Sequence, residues 1–200
     1  MKRALTDAAL ELVRRRGPGR FSLREAARLV GVSQTAPYRH FEDREALLAH
    51  VAEDGFRALR KHFETAADAA GPDPFSRYIA GGLAFFEFAV EDPARFRLMY
   101  GDEAARKERY PSLAREWWAA WNWTRDAVVA CQRSGKLPPG DPSAICLQGW
   151  ALAHGLAVLI MNGQAPGAPK DPRDLRDFAI GILFAVRPDL AAPERSPRDA

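Results

Sequence analysis

The chain has 200 residues, 47% of them hydrophobic and 28% charged, with a formal net charge of +3. This balance fits one globular domain, or a core carrying a small satellite, and excludes disordered, collagenous and disulfide-scaffold chains. The charge is uneven: residues 1–41 hold nine Lys and Arg against Asp7, Glu11 and Glu25, a net +6 that leaves −3 on the remainder, as expected where one end of a protein meets a polyanion.

Leu5, Ala8, Ala9, Leu12 and Val13 recur on one helical face and Gly17-Pro18-Gly19 stops the pattern, which predicts a first helix of about a dozen residues. Ser22, with Glu25 three residues on, forms a capping box for a second short helix that buries Leu23, Ala26, Ala27 and Val30 and ends at Gly31. Ser33 is the N-cap of a third helix reaching about Phe41, and Asp43 caps a fourth that runs to Ala69. At 1.5 Å per residue the fourth is about 40 Å long, enough to link a head to a body. Proline and glycine punctuation then sets helices near 74–90, 93–100, 112–134, 142–162 and 172–186. No strand alternation and no internal repeat occurs. The expected fold is all-α with about nine helices: a three-helix head over 1–46, a larger helical domain over 47–188 and a flexible tail over 189–200.

The longest apolar run, 150–161, is interrupted by His154 and Gly155 and falls short of the roughly 18 residues of a spanning helix. Met1-Lys2-Arg3 leads into an amphipathic pattern rather than a secretory signal. Both features point to the cytoplasm and to no membrane partner. In that reducing compartment Cys131 and Cys146 are expected as free buried thiols.

Two helices joined by a tight glycine-containing turn make the helix-turn-helix unit, whose second helix is placed to enter the major groove. The run Phe21-Ser22-Leu23-Arg24-Glu25-Ala26-Ala27-Arg28-Leu29-Val30-Gly31-Val32-Ser33, then Tyr38-Arg39-His40-Phe41 and Arg44-Glu45-Ala46-Leu47-Leu48, resembles the N-terminal domain of TetR-family transcriptional regulators. Ala36-Pro37 departs from the Thr-Leu that the family more often has before the tyrosine. Ser33, Gln34 and Thr35 open the third helix, where Gln pairs with adenine and the Thr methyl meets a thymine methyl. Gln34 and Thr35 are therefore the candidate base readers. The resemblance implies phosphate contacts by Tyr38, His40 and Arg44 and a backbone or base contact by Arg24. Arg39 is a further candidate, and Ser22 offers a helix N-terminus that favours phosphate. Phe41 and Tyr38 are expected as aromatic anchors of the small core, and Arg14, Arg15 and Arg16 as charges that suit the end of the first helix.

The body carries Phe85, Phe86, Phe88, Phe96, Met99 and Tyr100, then Trp117, Trp118, Trp121 and Trp123 within seven residues. At about 100° per residue the first three tryptophans share an arc and Trp123 projects the other way, so that helix is packed on two sides. Residues 148–157, with Trp150, His154 and Gly155, resemble the tryptophan-histidine-glycine C-terminal domain of one TetR subfamily. Phe85, Phe88, Met99, Tyr100, Trp117, Trp121, Trp150 and His154 are the candidate ligand-binding residues. The resemblance also implies a homodimer formed through the last two helices, whose apolar stripe includes Leu175, Phe178, Ile182 and Leu183. Two heads then read a pseudo-palindromic double-stranded operator at a half-site spacing of about 34–36 Å or its near multiples.

The expected function is that of a DNA-binding transcriptional repressor released by a small hydrophobic or aromatic effector. The alternatives are a regulator without a small ligand, controlled by a protein partner or by cysteine redox, and more remotely an enzyme of unrecognised type. No GxSxG, HExxH, Walker-type loop, CxxC or GxGxxG occurs, and His40, His50, His62 and His154 lack metal-ligand spacing. No catalytic residue, metal or cofactor is therefore expected.

Overall fold

The computed structural model describes residues 1–101 and 107–183. The expected tail at 189–200, and the expected end of the last helix beyond Leu183, lie outside the described residues. Among those residues the chain is all-α: α1 (Lys2–Arg16), α2 (Leu23–Val30), α3 (Arg44–Ala69), α4 (Pro74–Glu91), α5 (Pro93–Tyr100), α6 (Pro111–Arg133), α7 (Pro142–Met161) and α8 (Pro172–Leu183), with 3-10 turns at Ala36–Arg39 and Lys107–Arg109.

Local chemistry sets the helix ends. The capping box is complete: the Glu25 amide donates to Ser22 Oγ at 3.3 Å and the Ser22 amide donates to Glu25 Oε2 at 2.9 Å. Gly31 takes the left-handed conformation, φ 76° and ψ 29°, that terminates α2. Four helices, α4, α5, α7 and α8, begin at a proline preceded by an aspartate. A proline at the first helical position lacks an N–H that would have no helical partner anyway, and the aspartate caps the groups behind it. Asp73 accepts from the Ser76 amide at 2.8 Å, Asp92 from Arg95 at 3.3 Å and Asp141 from Ser143 at 2.9 Å.

The third helix expected from Ser33 to Phe41 is instead the short 3-10 turn Ala36–Arg39. Pro37 has no N–H to give to the Ser33 carbonyl, and the Ala36 amide takes that acceptor at 3.0 Å. Tyr38 follows suit, donating to Thr35 three residues back at 3.3 Å. Ser33 does not cap; its hydroxyl pairs with that of Thr35 at 3.2 Å.

The chain forms two compact units, one of Met1–Lys61 with Glu91–Asn122 and one of His62–Val90 with the chain from Trp123 onward. In the first, Leu5, Ala9, Leu23, Phe41, Leu47 and Val51 bury a small core that also takes in Leu98 of α5. Ala26 and Ala27 of α2 are buried as expected, while Val30 is only partly so. In the second, Phe63, Leu83, Phe86, Val128, Leu156 and Ala157 are buried. There the Arg77 guanidinium donates to the Ala67 carbonyl at 2.9 Å and to Asp68 at 3.0 Å, so a cation satisfies the end of α3 where the helix dipole favours one.

Helix α7 corrects the expectation that no segment reaches membrane length. Its 20 residues include no Asp, Glu, Lys or Arg, its mean hydropathy reaches 1.8, and 22% of that window is buried within the chain. Length and composition alone would let it cross a bilayer. A helix that pairs with another protein surface has the same composition.

Candidate nucleic-acid interface

The buried and exposed sides of the first unit separate cleanly. Phe41 is 4% exposed and anchors the core, whereas Tyr38, expected beside it, is 51% exposed. Its place is taken by Pro37, the buried residue of the recognition turn. Ser22, Arg24, Ser33, Gln34, Thr35, Arg39 and His40 are all exposed. The turn thus presents a contiguous polar set, Gln34, Thr35, Tyr38, Arg39 and His40, on the side away from the core. Arg44 differs from its expected outward reach. One guanidinium N–H donates to the Pro18 carbonyl, and the group lies 5.9 Å from the centroid of the Phe21 ring.

The charges sort the same way. On α1, Arg14 pairs with Asp92 at 3.0 Å, Arg15 with Glu11 at 2.7 Å and Arg16 with Glu25 at 2.9 Å. Of the acids before Phe41, Glu11 and Glu25 are thus spent on α1 arginines, and Asp7 lies 4.0 Å from Arg3; Asp43 and Glu45 face Arg109 instead. Among the described residues no ion pair is made by Arg20, Arg24, Arg28 or Arg39. These four cations lie on the α1–α2 loop, α2 and the recognition turn. Backbone and side-chain hydrogen bonds from Ser22 hold the Glu25 carboxyl below its usual range, with Arg16 adding to the effect, so Glu25 stays an anion and fixes both partners.

The candidate ligand residues do not all meet. In the first unit Met99 is fully buried, and a side chain on Gly55 would come within 2.5 Å of its sulfur. Tyr100 lies between Phe56, 5.4 Å away edge-on, and Phe96 at 4.8 Å. Trp117 and Trp121 are parallel, 6.0 Å apart, with the half-exposed Trp118 edge-on to Trp117 at 4.7 Å. In the second unit Phe85 of α4 meets His154 of α7 at 6.4 Å, and Trp150 lies 6.1 Å from His154. Phe88 packs instead against His62. The trio Phe85, Trp150 and His154 is thus assembled. Burial pushes the His154 imidazole below its ordinary value, towards the neutral form.

Sequence reasoning missed Tyr78. Its hydroxyl would stand 3.0 Å from a side chain on Gly149, and burial, with small contributions from Cys146 and Cys131, pushes it up to about 12. The available signal was its spacing of seven from Phe85, which puts both on one face of α4. Cys131 and Cys146 are buried free thiols, Cys131 donating to the Pro74 carbonyl at 3.2 Å. Burial is the main cause raising both to about 11, so they remain protonated and poor nucleophiles at neutral pH.

A chain all-helical among its described residues, in which a capped α2 is followed by a tight turn and an exposed polar recognition element, is of the helix-turn-helix class. Residues 5–51 match the model of the tetR family of bacterial regulatory proteins, and residues 78–183 match the tetracyclin repressor-like C-terminal domain. The chain belongs to the tetR family of transcriptional regulators. An uncharacterised HTH-type transcriptional regulator of Haemophilus influenzae is 33% identical over 117 residues, 56% of this chain and 55% of that protein. The chain thus spans about half the length of that relative. A protein of unknown function from Rhodococcus sp. RHA1 is 30% identical with a TM-score of 0.79, over 96% of this chain and 95% of that one. AibR, in complex with isovaleryl coenzyme A and operator DNA, has a TM-score of 0.66 at 16% identity, over 92% of this chain and 97% of that one; at that identity the likeness is one of fold.

Proposed function

We propose that this regulator is a homodimeric repressor that binds a pseudo-palindromic operator and leaves it when a small apolar effector binds its body. Residues up to about 46 face DNA, and the chain from there to about 188 carries the effector and dimer surfaces. The observation that carries the reading is the sorting of charge in the head: acids neutralise the arginines of α1, while Arg20, Arg24, Arg28 and Arg39 keep their charge beside exposed Gln34, Thr35, Tyr38 and His40. Unpaired cations supply the phosphate term of affinity and exposed polar side chains supply base readout.

Phe85, Trp150 and His154, with Tyr78 on the same face of α4, give the effector apolar contact and neutral polar groups, which favour an uncharged ligand. The solved AibR complex contains both an acyl coenzyme A and operator DNA, which supports an effector-controlled mechanism here. A coupling of about 1–3 kcal/mol between effector and operator is expected. Operator affinity titrated against salt, with and without apolar candidate ligands, tests the proposal. Affinity unchanged under every ligand that demonstrably binds would refute effector release.

The dimer reading is supported by α7 and α8. At about 100° per residue Leu147, Ala151, Leu152 and Leu159 fall within roughly 140° of one side of α7, and Cys146, Ala153, Leu156 and Ala157 fall opposite. The second set is buried, while the three leucines of the first are 52%, 40% and 44% exposed and Ile182 of α8 is 43% exposed. An apolar stripe of that extent is the kind of surface that an isologous dimer covers.

A further inference from the structure

We propose that Arg44 serves DNA binding as a positioning residue, holding the α1–α2 loop in place, and is not itself a phosphate ligand. The proposal rests on the reading that this unit binds DNA.

Arg44 is the first residue of α3, yet its guanidinium turns back to the loop between α1 and α2. It donates to the Pro18 carbonyl, and its Cζ lies over the ring of Phe21, 5.9 Å from the centroid. Phe21 is 7% exposed and belongs to the small core, so the guanidinium over its ring ties the Pro18 carbonyl to fixed structure. Within the loop, Gly17 still closes onto Val13 at 2.8 Å and Arg20 reaches back to Gly17 at 3.4 Å. Two glycines and a proline otherwise leave it little of its own to hold its shape.

What the loop carries explains why its shape matters. Arg20 is one of the unpaired cations, and Ser22, two residues on, opens the N-terminus of α2 and bonds Glu25. Releasing the Pro18 carbonyl and the face of Phe21 would let Arg20 wander and would loosen the entry to α2. A guanidinium can donate in its plane and stack on its face at once, whereas an ammonium is a point charge with no plane to stack. Arg44 and lysine are therefore not equivalent here, although either would neutralise a phosphate.

The test uses the full chain and a DNA duplex that the wild-type protein selects from a randomised pool. Affinity is measured against salt for wild type, Arg44→Gln and Arg44→Lys, with helicity checked by circular dichroism. Hydrogen exchange of the 17–21 segment is followed without DNA. A phosphate ligand at this position is one whose charge a lysine would replace, keeping affinity and salt slope; opening a clasp lowers affinity in both variants, Arg44→Lys included, and frees the loop. The expected result is a loss of about tenfold in both variants, tenfold being about 1.4 kcal/mol, with exchange at 17–21 faster by about fivefold or more. Full binding by Arg44→Lys, undiminished affinity in Arg44→Gln or unchanged exchange each overturns the proposal. If the wild-type protein selects no duplex, it is the DNA-binding reading that has failed, and the clasp role falls with it.

Discussion

The indole of Trp123 fills the space that a side chain on Gly81 would need: a Cβ there would come within 2.6 Å of Cζ3 and 2.7 Å of Cη2. Phe63 covers the indole at 4.9 Å with an interplanar angle of 28°, so the ring has no easy way to retreat. In an open helix Gly→Ala gains about 1 kcal/mol. Here overpacking should cost more, leaving Gly81→Ala a net loss of about 1–2 kcal/mol. Thermal unfolding checks the sign, and Trp123→Leu in the same chain should recover part of the loss. A Gly81→Ala protein more stable than wild type would mean that the ring yields.

Salt dependence should separate the two groups of arginines in the head. Replacing Arg24, Arg28 or Arg39 with Gln should make the slope of log affinity against log salt shallower by up to about 0.9 for each phosphate no longer neutralised. Arg15→Gln should leave it unchanged, because that charge is already matched by Glu11 at 2.7 Å. Fluorescence anisotropy over a salt series reads both. Equal slope changes in the two groups would mean that the ion pairs on α1 open when DNA binds.

Two sets of groups set the pH dependence of stability. Burial lowers the folded pKa of His154 below its ordinary 6.5, so between the two values the unfolded chain binds the proton and the folded chain does not. Stability is therefore full above about 6.5 and falls as pH drops through the folded value. His154→Gln should flatten that step. A second fall belongs to Glu25, Glu53 and Asp73, all held below their usual values. Hydrogen bonds from Ser22 and Ser76 do this for Glu25 and Asp73; for Glu53 burial works against ionisation, but bonds from His50 and Arg57 outweigh it. Their contribution is present above about 4.5 and is lost as pH falls through the depressed values. Urea midpoints from pH 8 to 3, compared for wild type and His154→Gln, separate the histidine's contribution from that of the carboxylates.

The cysteines bear on the redox alternative. With both thiols buried and raised to about 11, native protein at pH 7 should react with a thiol reagent only as fast as it opens, and fully in denaturant. Reaction within the dead time of mixing would restore redox control as a reading. Cys131→Ser with Cys146→Ala should retain effector response.

Helix positions are legible in the sequence because their signals are local. The Ser22–Glu25 box, Gly31 and the Asp-Pro pairs act on neighbours within four residues, and each lies where spacing puts it. The recognition turn departs from expectation at a residue in plain view. Pro37 lies near the expected helix start, where the interior penalty is small, but its missing N–H also removes the bond to Ser33 that an α-helix needs. Three facts are not legible because they depend on contacts between distant segments. Leu98 joins the core of the head, Arg44 folds back on Pro18, and the ligand candidates divide between two units. Periodicity gives the face a residue occupies and not the helix opposite, so a set of large aromatic residues holds core and candidate site together.

The exposed stripe of α7 gives the most direct test of assembly. Leu152 and Leu159 lie on the exposed side, and burying such side chains is worth about 1.5–3 kcal/mol each. If the proposed dimer forms through this face, a glutamate at Leu152 places an unpaired charge in a buried two-fold interface, and symmetry places it there twice. Leu152→Glu should therefore sediment as a monomer at micromolar concentration and lose operator affinity, since one head grips only half the operator. Lys136→Glu, an exposed change outside the stripe, should leave assembly unaltered. Helicity should stay at the wild-type level, because the stripe faces away from the buried side of α7. A dimer that survives Leu152→Glu together with Leu159→Glu would remove this face as the interface and return the 20-residue apolar helix to the alternatives, a different protein partner or a bilayer, which liposome flotation distinguishes.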